Sequence, residues 1–506
     1  MDKLKRAGYL LGVIKKLPQY YTCSSFRTLF TSSIKVSSAM SAEKRELESS
    51  ENDAESTSLL DQKSKRLKRN NQFVETPLDV SDYYIENGLR KVYPYEFTFQ
   101  SYCKGRWVGR KLSELFEQEF RAVTEDIMKK RCQTGLLKVN GQMVEPDYIL
   151  KDNDFITNRI HRHEFPVLAA PIPIIHKDKD FLVIDKPPSL PIHPCGKYRL
   201  NAITSLLEKE NGIKDIHVIH RLDRLTSGVL IMALSKAKAQ KLHQEMRNRE
   251  MHKEYVCRVE GKFPDGVTEV DQPIETIAHK IGICIVSPTG KPSKTFFERL
   301  NYNGKSSTVL CKPMTGRMHQ IRVHLQYIGY PIMNDNFYNS PSFGPNKGKG
   351  GDFGKSIEEL IAAIGDEHLR SKHLLSNEKD TTAIEDSRVA ERNDLALKAM
   401  EHYTSQESWQ ETKKRYKHDP AKDSTQADCT ECKEPTCDPM PCEQFIYLHA
   451  LRYKSTEWSF ETQPGIINLH LEMYEHRLCG NVGDEDSKEE EANVENRKVE
   501  KAAKDE

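Results

Sequence analysis

The stretch HRLDRLTSGVLIMAL, residues 220–234, joins a polar turn to an apolar strand. Residues 229–234 form an unbroken apolar run with the length of a buried strand. Just before them, an imidazole and two guanidinium groups surround the single carboxylate of Asp223. An aspartate in such a place usually orders a turn, whereas a catalytic carboxylate needs a desolvated site and a cation that keeps it ionised. The stretch by itself leaves both roles open.

Periodicity on either side of this stretch predicts the rest of the fold. Helical spacing predicts helices over 201–210, 236–248 and 318–328. Apolar and β-branched runs predict strands over 181–185, 217–219, 229–234, 254–260, 282–286, 294–300 and 307–312. This order of elements favours an α+β fold with a largely antiparallel mixed sheet over a doubly wound nucleotide-binding fold.

A smaller module precedes this domain. Apolar residues at helical spacing predict a helix from Leu112 to Phe120, and a second helix is predicted over 124–133. A strand and a tight turn at Val139-Asn140-Gly141 follow. The helices are accompanied by basic residues, which either bind an RNA backbone or form an ordinary solvated surface: Arg106, Arg110, Lys111, Arg121, Lys129, Lys130 and Arg131.

Composition limits the classes of function. The 506 residues include 76 Lys and Arg against 75 Asp and Glu, so the formal net charge of +1 gives no overall argument for a polyanionic partner. The 12 cysteines are scattered without a disulfide framework, which favours reduced thiols. The apolar runs are shorter than the roughly 20 residues of a membrane span, so no membrane association is predicted.

Residues 220–228 resemble the catalytic motif of the RluA-type pseudouridine synthases, which reads His-Arg-Leu-Asp, two variable residues, then Thr-Ser-Gly. Further blocks of this family are matched in the same order, at 185–194, 253–255, 315–324, 329–335 and 448–450. Met318 departs from the pattern, since threonine is usual there. The module near Leu112 resembles the small helical RNA-binding module that many of these synthases carry. Several blocks in the family's order are far more specific than one short motif.

The resemblance implies an isomerase that converts uridines of RNA to pseudouridine, with no cofactor and no metal ion. Its catalytic residues would be Asp223 as the essential carboxylate, Tyr255 against the target base and Arg322 as the cation paired with Asp223. Asp223 would attack the base, attack the sugar or take a proton, and the sequence does not choose among these. The residues implied to contact the RNA are His220, Arg221, Arg317, His319 and Gln320.

Within the family the chain is similar to the eukaryotic branch that includes the fungal synthases for uridine 32 of tRNA. The expected partner is therefore RNA, with the tRNA anticodon loop as the first choice and mRNA as the second. No obligate protein partner is implied. A catalytically inactive RNA-binding protein is the alternative from another class, and the joint presence of Asp223, Tyr255 and Arg322 argues against it.

A group of cysteines has the spacing of a zinc knuckle with cysteine in the histidine place: Cys429, Cys432, Cys437 and Cys442. Knuckles carry glycine and aromatic residues between their ligands, whereas this segment contains Pro435, Pro439 and Pro441. The prolines favour a structural connector, and the spacing favours a zinc site. Both interpretations stay open at this point.

The chain is predicted to divide into consecutive segments. Residues 1–39 are rich in basic and hydroxyl side chains, which predicts a mitochondrial targeting segment. A form starting at Met40 would be nuclear or cytoplasmic, since it would lack that segment and present the basic cluster at 63–69. The remaining segments are a disordered linker at 40–80, an aromatic extension with the RNA-binding module at 81–165, the catalytic domain at 166–340, a flexible insertion at 341–436, the completion of the catalytic domain at 437–476 and a disordered tail at 477–506.

Overall fold

The computed structural model describes residues 76–119, 125–279, 281–377, 401, 403–404, 407–435 and 437–464. The chain divides into two units. The smaller unit includes Tyr95–Arg162, and the larger includes Asp82–Pro94 and everything described from His163 onward. The expectations for the targeting segment, for a form starting at Met40, for the basic cluster, for Arg121 and for the tail fall outside the described residues.

The regular elements are numbered here along the described chain. The strands β1 to β19 are Tyr83–Glu86, Leu89–Val92, Tyr95–Tyr102, Leu137–Val139, Gln142–Met143, Phe155–Arg162, Val167–Leu168, Ile174–Lys177, Phe181–Lys186, His217–Val218, Ser227–Ala233, His252–Glu260, Val267–Asp271, Ile274–Ala278, Ile283–Val286, Lys294–Tyr302, Ser306–Pro313, Leu448–Lys454 and Ser459–Glu461. The helices α1 to α8 are Leu112–Glu119, Glu125–Gln133, Ile203–Asn211, Lys236–Asn248, Gln320–Tyr327, Ile357–Asn377, Glu407–Arg415 and Thr430–Lys433. Within the described ranges, no helix combines the length and the hydropathy that crossing a bilayer requires.

The smaller unit contains an antiparallel sheet of four strands in the order β3-β6-β4-β5. Helices α1 and α2 share an apolar core with this sheet through Leu112, Met128 and Leu137. In the turn between β4 and β5, Asn140 and Gly141 have φ angles of 53° and 78°. Tight hairpins need this left-handed backbone, and asparagine and glycine adopt it at low cost. The predicted helices, strand and turn of this module are confirmed.

The larger unit is built on one extended sheet, in the order β13-β16-β17-β12-β18-β11-β9-β8, with β10 on β11 and β19 on β18. Its strands pair antiparallel except for β11 and β18, which pair in parallel. Each predicted strand and helix of this unit overlaps an observed one. The predicted fold class, α+β with a largely antiparallel mixed sheet, is confirmed.

Apolar side chains cover both faces of the central strands. Every residue of β9 and of β11 is buried, so neither strand alternates between apolar and polar positions. One core cluster combines these two strands with α3 and α4, and another combines β12, β17 and α5. This double coverage explains why residues 229–234 form a continuous apolar run. It also places the polar turn before β11 at a rigid strand end.

The segment 341–436, expected to be a flexible insertion, contributes core residues where it is described. Phe343 and Leu360 are fully buried beside Ile283 of β15. Tyr403 is 1% exposed, and its hydroxyl donates to Oδ1 of Asp185 at 3.2 Å. These few large side chains pack tightly even though the segment as a whole is polar. The described parts therefore contribute side chains to the core of the larger unit, which the average composition did not indicate.

Candidate active site

The loop that carries Asp223 is fixed by its own backbone and by a neighbouring segment. The Thr226 N–H donates to the Asp223 carbonyl at 3.1 Å, which closes a turn. The Ile446 N–H donates to the Leu225 carbonyl at 3.3 Å. Leu222 is buried in the core and anchors the loop from inside. The carboxylate of Asp223 remains 30% exposed, so solvent and a substrate can reach it.

Lys186 is fully buried against this loop. Its Nζ donates to the carbonyls of Pro187, Arg224 and Thr226 at 3.0, 3.1 and 2.8 Å. Three acceptors match the three protons of an ammonium group. Burial lowers the pKa of Lys186 to about 7, and the charge of Arg224 acts in the same direction. The lysine of the block at 185–194 thus holds the backbone that follows Asp223.

Gly228 allows β11 and β18 to approach closely. Its φ is 105°, and a Cβ atom there would lie 2.3 Å from the carbonyl oxygen of Ala450. Beside it, the Ser227 hydroxyl and Nδ1 of His449 are 2.9 Å apart, although 222 residues separate them in sequence. The last residues of the 220–228 motif therefore join it to the block at 448–450.

Arg322 links two carboxylates. Only 7% of its side chain is exposed, on helix α5. Its Nε and Nη2 donate to the two oxygens of Asp335 at 2.6 and 2.9 Å. Its Nη1 donates to Oδ2 of Asp223 at 3.0 Å. Because the bidentate pair with Asp335 fixes the guanidinium plane, the third nitrogen is aimed at Asp223.

The surroundings of Asp223 favour its ionised form. Burial alone would raise the pKa of Asp223, but His319, which is charged only at low pH, and the charge and hydrogen bond of Arg322 hold this pKa below the ordinary value. Burial also opposes the charge of Arg322, yet Asp335 and Asp223 raise the pKa of this arginine. Asp223 is therefore a carboxylate at neutral pH, and Arg322 is a permanent cation.

His319 presents a neutral ring to Asp223, because burial lowers the pKa of His319 to about 4. Its Nδ1 lies 2.8 Å from the hydroxyl of Tyr338, and burial raises the pKa of Tyr338 so that this hydroxyl keeps its proton. The Cys284 N–H already donates to the Tyr338 oxygen at 3.2 Å. We therefore assign the hydroxyl proton to Nδ1 and the imidazole proton to Nε2, which lies 3.8 Å from Oδ2 of Asp223.

Tyr255 on β12 is paired with Tyr453 on β18. Their hydroxyls are hydrogen-bonded, and burial raises the pKa of Tyr255, so its hydroxyl is protonated. The ring of Tyr453 also stacks on His220, with 4.7 Å between centroids. Nε2 of His220 accepts the Ile231 N–H at 3.1 Å, and burial lowers the pKa of His220 to about 3. His220 is therefore a neutral, internal ring that supports the Tyr453 and Tyr255 pair.

The remaining residues that were predicted to contact RNA differ in exposure. Arg221 and Arg317 are exposed. Gln320 is 4% exposed, and its Oε1 accepts from the Thr315 hydroxyl at 2.7 Å and from the Arg317 N–H at 3.0 Å. Gln320 thus shapes the loop that presents Arg317 and His319, whereas the two arginines face solvent.

Comparison with known proteins agrees with this geometry. A family model described as RNA pseudouridylate synthase matches residues 180–327. Pseudouridylate synthase RPUSD2 of Mus musculus is 44% identical over 395 residues, which cover 75% of this chain and 71% of that protein. The chain belongs to the RNA pseudouridine synthase family. It is an isomerase that converts uridine in RNA to pseudouridine.

Two further relatives of this pseudouridine synthase come from Saccharomyces cerevisiae. The mitochondrial tRNA pseudouridine(32) synthase is 41% identical over 283 residues, which cover 54% of this chain and 61% of that protein. The tRNA pseudouridine(31) synthase is 33% identical over 303 residues, which cover 52% of this chain and 74% of that protein.

Sequence reasoning missed three residues of the synthase's site. Asp335 ends the block at 329–335, and that block was the signal that could have identified it. Tyr453 lies three residues after the block at 448–450, whereas nothing in the sequence singled out Tyr338. The family match ends at residue 327, so all three lie beyond it. The structure brings them to Asp223, Tyr255 and Arg322 through contacts that no single motif contains.

Proposed function

We propose that this pseudouridine synthase acts on the tRNA anticodon loop, at uridine 32. Two relatives support this substrate, because their names assign them tRNA positions 32 and 31. The reacting uracil has to leave the base stack before it can enter a protein pocket, and in a loop this costs only about a few kcal/mol. A loop uridine therefore suits the site better than a paired one.

Asp223 is proposed as the essential carboxylate. The different hydrogen bonding of its two carboxylate oxygens carries this proposal. Oδ2 is held by Nη1 of Arg322 at 3.0 Å, while Oδ1 accepts no hydrogen bond from any described residue. One oxygen is thus positioned and the other remains available to the substrate. An ionised carboxylate arranged in this way can attack the sugar, attack the base or accept a proton.

The proposed reaction needs no added reagent. The bond between C1′ of the ribose and N1 of the uracil breaks, the detached base turns, and C1′ bonds to C5. C5 loses its proton and N1 gains one, so the atoms balance. Arg322 keeps Asp223 ionised until it reacts, because the contacts of Arg322 with Asp335 hold the guanidinium in place.

Tyr255 is proposed to lie against the target base. The raised pKa of its hydroxyl and the hydrogen bond to Tyr453 favour a neutral, fixed ring. A neutral phenol is a poor proton acceptor, so these observations support packing more than removal of the C5 proton. Aromatic side chains are well suited to this, since every base offers a π-face for stacking.

The RNA contacts are proposed to come from the exposed rim of the site. Arg221 and Arg317 face solvent and suit phosphate or unstacked bases, and Arg221 is proposed to fill the gap that the flipped uridine leaves. His319 offers its Nε2 proton next to Asp223. Gln320 and His220 are internal and act by holding the surrounding backbone. The smaller unit adds backbone affinity through the basic residues on and beside its helices.

The test compares Asp223→Asn with Asp215→Asn, a matched change at an exposed aspartate outside the site. Each variant would be expressed in cells that lack the endogenous enzyme, and pseudouridine would be mapped in tRNA and mRNA. We expect the tRNA position 32 signal to return with wild type and with Asp215→Asn and to stay absent with Asp223→Asn. Restoration by Asp223→Asn would contradict the catalytic role.

The same map decides between the two RNA classes. If wild type restored only mRNA sites and left tRNA position 32 unmodified, the anticodon-loop proposal would be wrong and mRNA would be the substrate class. A purified system with a synthetic anticodon stem-loop removes the influence of compartment, since the RNA is then supplied directly.

We also propose that the longer form of the synthase is mitochondrial and that a form starting at Met40 is nuclear or cytoplasmic. The composition of residues 1–39 supports this, as does the mitochondrial relative in yeast. Fusion of residues 1–45 to a fluorescent reporter should direct it to mitochondria. A uniformly cytosolic reporter would contradict the mitochondrial part.

A further inference from the structure

A second cluster of polar side chains in the larger unit takes no part in the site around Asp223. His163 stands at the start of the continuous part of this unit. Cys429 directly precedes the short helix α8, and Cys432 lies within it. Nε2 of His163 lies 3.5 Å from Sγ of Cys429 and 3.3 Å from Sγ of Cys432. All three donor atoms lie within 4.8 Å of one another.

Both sulfurs approach the same imidazole nitrogen, and they also hydrogen-bond to each other. A single imidazole nitrogen either donates one proton or accepts one, so it can satisfy only one of the two sulfurs. A zinc ion bound by both sulfurs and this nitrogen would bring all three atoms together. Zinc bonds of about 2.3 Å to sulfur and 2.0–2.1 Å to nitrogen, at tetrahedral angles, separate sulfur from nitrogen by about 3.5 Å. The observed separations of 3.5 and 3.3 Å match this value.

The surroundings suit bound thiolates. The Gln426 N–H donates to Sγ of Cys432 at 3.5 Å, and backbone donors of this kind support metal-bound sulfur. Between the two cysteines, Glu431 forms an ion pair with Lys197 at 2.7 Å. The carbonyl of Lys197 accepts the Phe165 N–H at 3.3 Å, so the cysteine segment is tied to the chain just after His163. Cys429 is only 9% exposed.

We propose that His163, Cys429 and Cys432 bind a structural zinc ion. This ligand set differs from the four cysteines that the sequence spacing suggested. Cys442 is 3% exposed inside an apolar core cluster, and Cys437 is exposed at the surface. Structural zinc takes four ligands, so these three residues would supply most of its coordination shell.

Such an ion would fix the chain just before it enters β18. Gln444 follows the cysteine segment, and its Oε1 accepts from Nη1 of Arg224 at 2.7 Å and from the Ser189 hydroxyl at 3.2 Å. The zinc would therefore hold the segment whose next residues brace the Asp223 loop. It would act on the fold rather than on the substrate, so its presence does not depend on the proposed tRNA substrate.

The test begins with the zinc content of the purified full-length protein, measured by mass spectrometry of the metal. We expect about one zinc per chain, and a loss of the zinc in Cys429→Ser and in Cys432→Ser. Cys437→Ser is the matched control and should keep its zinc. Wild-type protein without stoichiometric zinc would overturn the proposal, as would a loss of zinc in Cys437→Ser equal to that in the other two variants.

Cobalt substitution gives a readout that needs no variant to fold. Wild-type protein exchanged into Co²⁺ should show the intense near-ultraviolet band of thiolate-to-cobalt charge transfer, with the intensity of two thiolates. An intensity that fits four thiolates would favour the cysteine knuckle and overturn this ligand set. A spectrum without a thiolate band would overturn the site altogether.

Discussion

Arg322 serves two carboxylates in different surroundings. Asp335 is 1% exposed and uses both oxygens on the guanidinium, whereas Asp223 is 30% exposed and uses one. The buried carboxylate fixes the arginine, and the exposed carboxylate keeps one oxygen for its proposed reaction. An arginine can do this because its donors lie in a rigid plane, while a lysine offers a single point of charge.

Arg322→Lys should separate charge from geometry. The lysine keeps a cation near Asp223 but cannot reach Asp335 with two donors and Asp223 with a third. Misplacing a reacting group by about 1 Å can cost roughly 100-fold in rate, so we expect a fall in kcat of about that size with a smaller change in KM. Single-turnover conversion of a tRNA stem-loop is the measurement. Arg299→Lys, on β16 outside the site, is the control, and an equal loss in both would contradict the argument.

The pH dependence of the rate should reflect the lowered pKa of Asp223. Lowering this pKa favours the carboxylate, so activity is present above it and is lost as the pH falls through it. With the pKa of His319 at about 4, neither group titrates near neutrality. We expect rates that do not fall from about pH 8 to pH 5.

Arg322→Gln provides the comparison for that profile. Without the cation, burial dominates and raises the pKa of Asp223, so the acidic fall in rate should move to higher pH. Single-turnover rates across the same range would show it. An unchanged position of the acidic limb would mean that Arg322 does not control the ionisation of Asp223.

For single residues, the sequence was informative where the chemistry requires one residue type. It predicted Asp223 with Arg322, which the structure places in contact. It did not reveal that Asp335 holds the same arginine, because the block at 329–335 does not show which side chains meet in the fold. His163 was overlooked because it is distant from Cys429 along the chain.

Among the strands, β18 determines how the Asp223 loop and the strand of Tyr255 are spaced. It lies between β11 and β12 in the sheet, and Ala450 is opposite both Gly228 and Tyr255. One small residue therefore sets the spacing between the Asp223 loop and the strand that carries Tyr255. The sequence predicted the strands at 229–234 and 254–260. It could not give their order in the sheet, since strand order depends on contacts between distant segments.

Gly228→Ala should push these strands apart. The added Cβ would lie 2.3 Å from the Ala450 oxygen and 2.7 Å from its nitrogen, and the φ of 105° is also unfavourable for alanine. We expect the free energy of unfolding to fall by about 4 kcal/mol or more, with loss of activity. Urea denaturation followed by circular dichroism measures the first effect.

Gly261→Ala is the control for backbone strain alone. Gly261 has a φ of 74°, but a Cβ there would meet nothing within 4 Å. The cost should be about 1–2 kcal/mol. Equal destabilisation by the two variants would show that the close approach to Ala450 does not matter.

For the whole molecule, the described parts of residues 341–436 anchor several side chains in the core of the larger unit. The sequence analysis judged this segment by its average composition, which is polar. Its few large side chains nevertheless reach the sheet, as Tyr403 does at Asp185. Composition averages hide such anchors, because one buried aromatic residue can outweigh many exposed charges.

Tyr403→Ala tests whether this segment contributes to the stability of the core. Removing a fully buried aromatic side chain should lower the free energy of unfolding by about 3–5 kcal/mol. Lys417→Ala, at an exposed position of the same segment, should change it by less than about 0.5 kcal/mol. Urea midpoints of the two variants give the comparison. A negligible effect of Tyr403→Ala would instead support the prediction of a flexible insertion.

The pairing of Ser227 with His449 also bears on how the protein is made. His449 follows Ser227 by 222 positions, and this length of chain must be synthesised before the two can meet. At about 5–20 residues per second, translation takes on the order of ten seconds or more to cover that distance. Throughout this interval the nascent β11 lacks one of its two long neighbours and exposes a strongly apolar edge. Chaperones are therefore expected to hold the newborn chain at β11, and catalysis can begin only after β18 has closed the sheet.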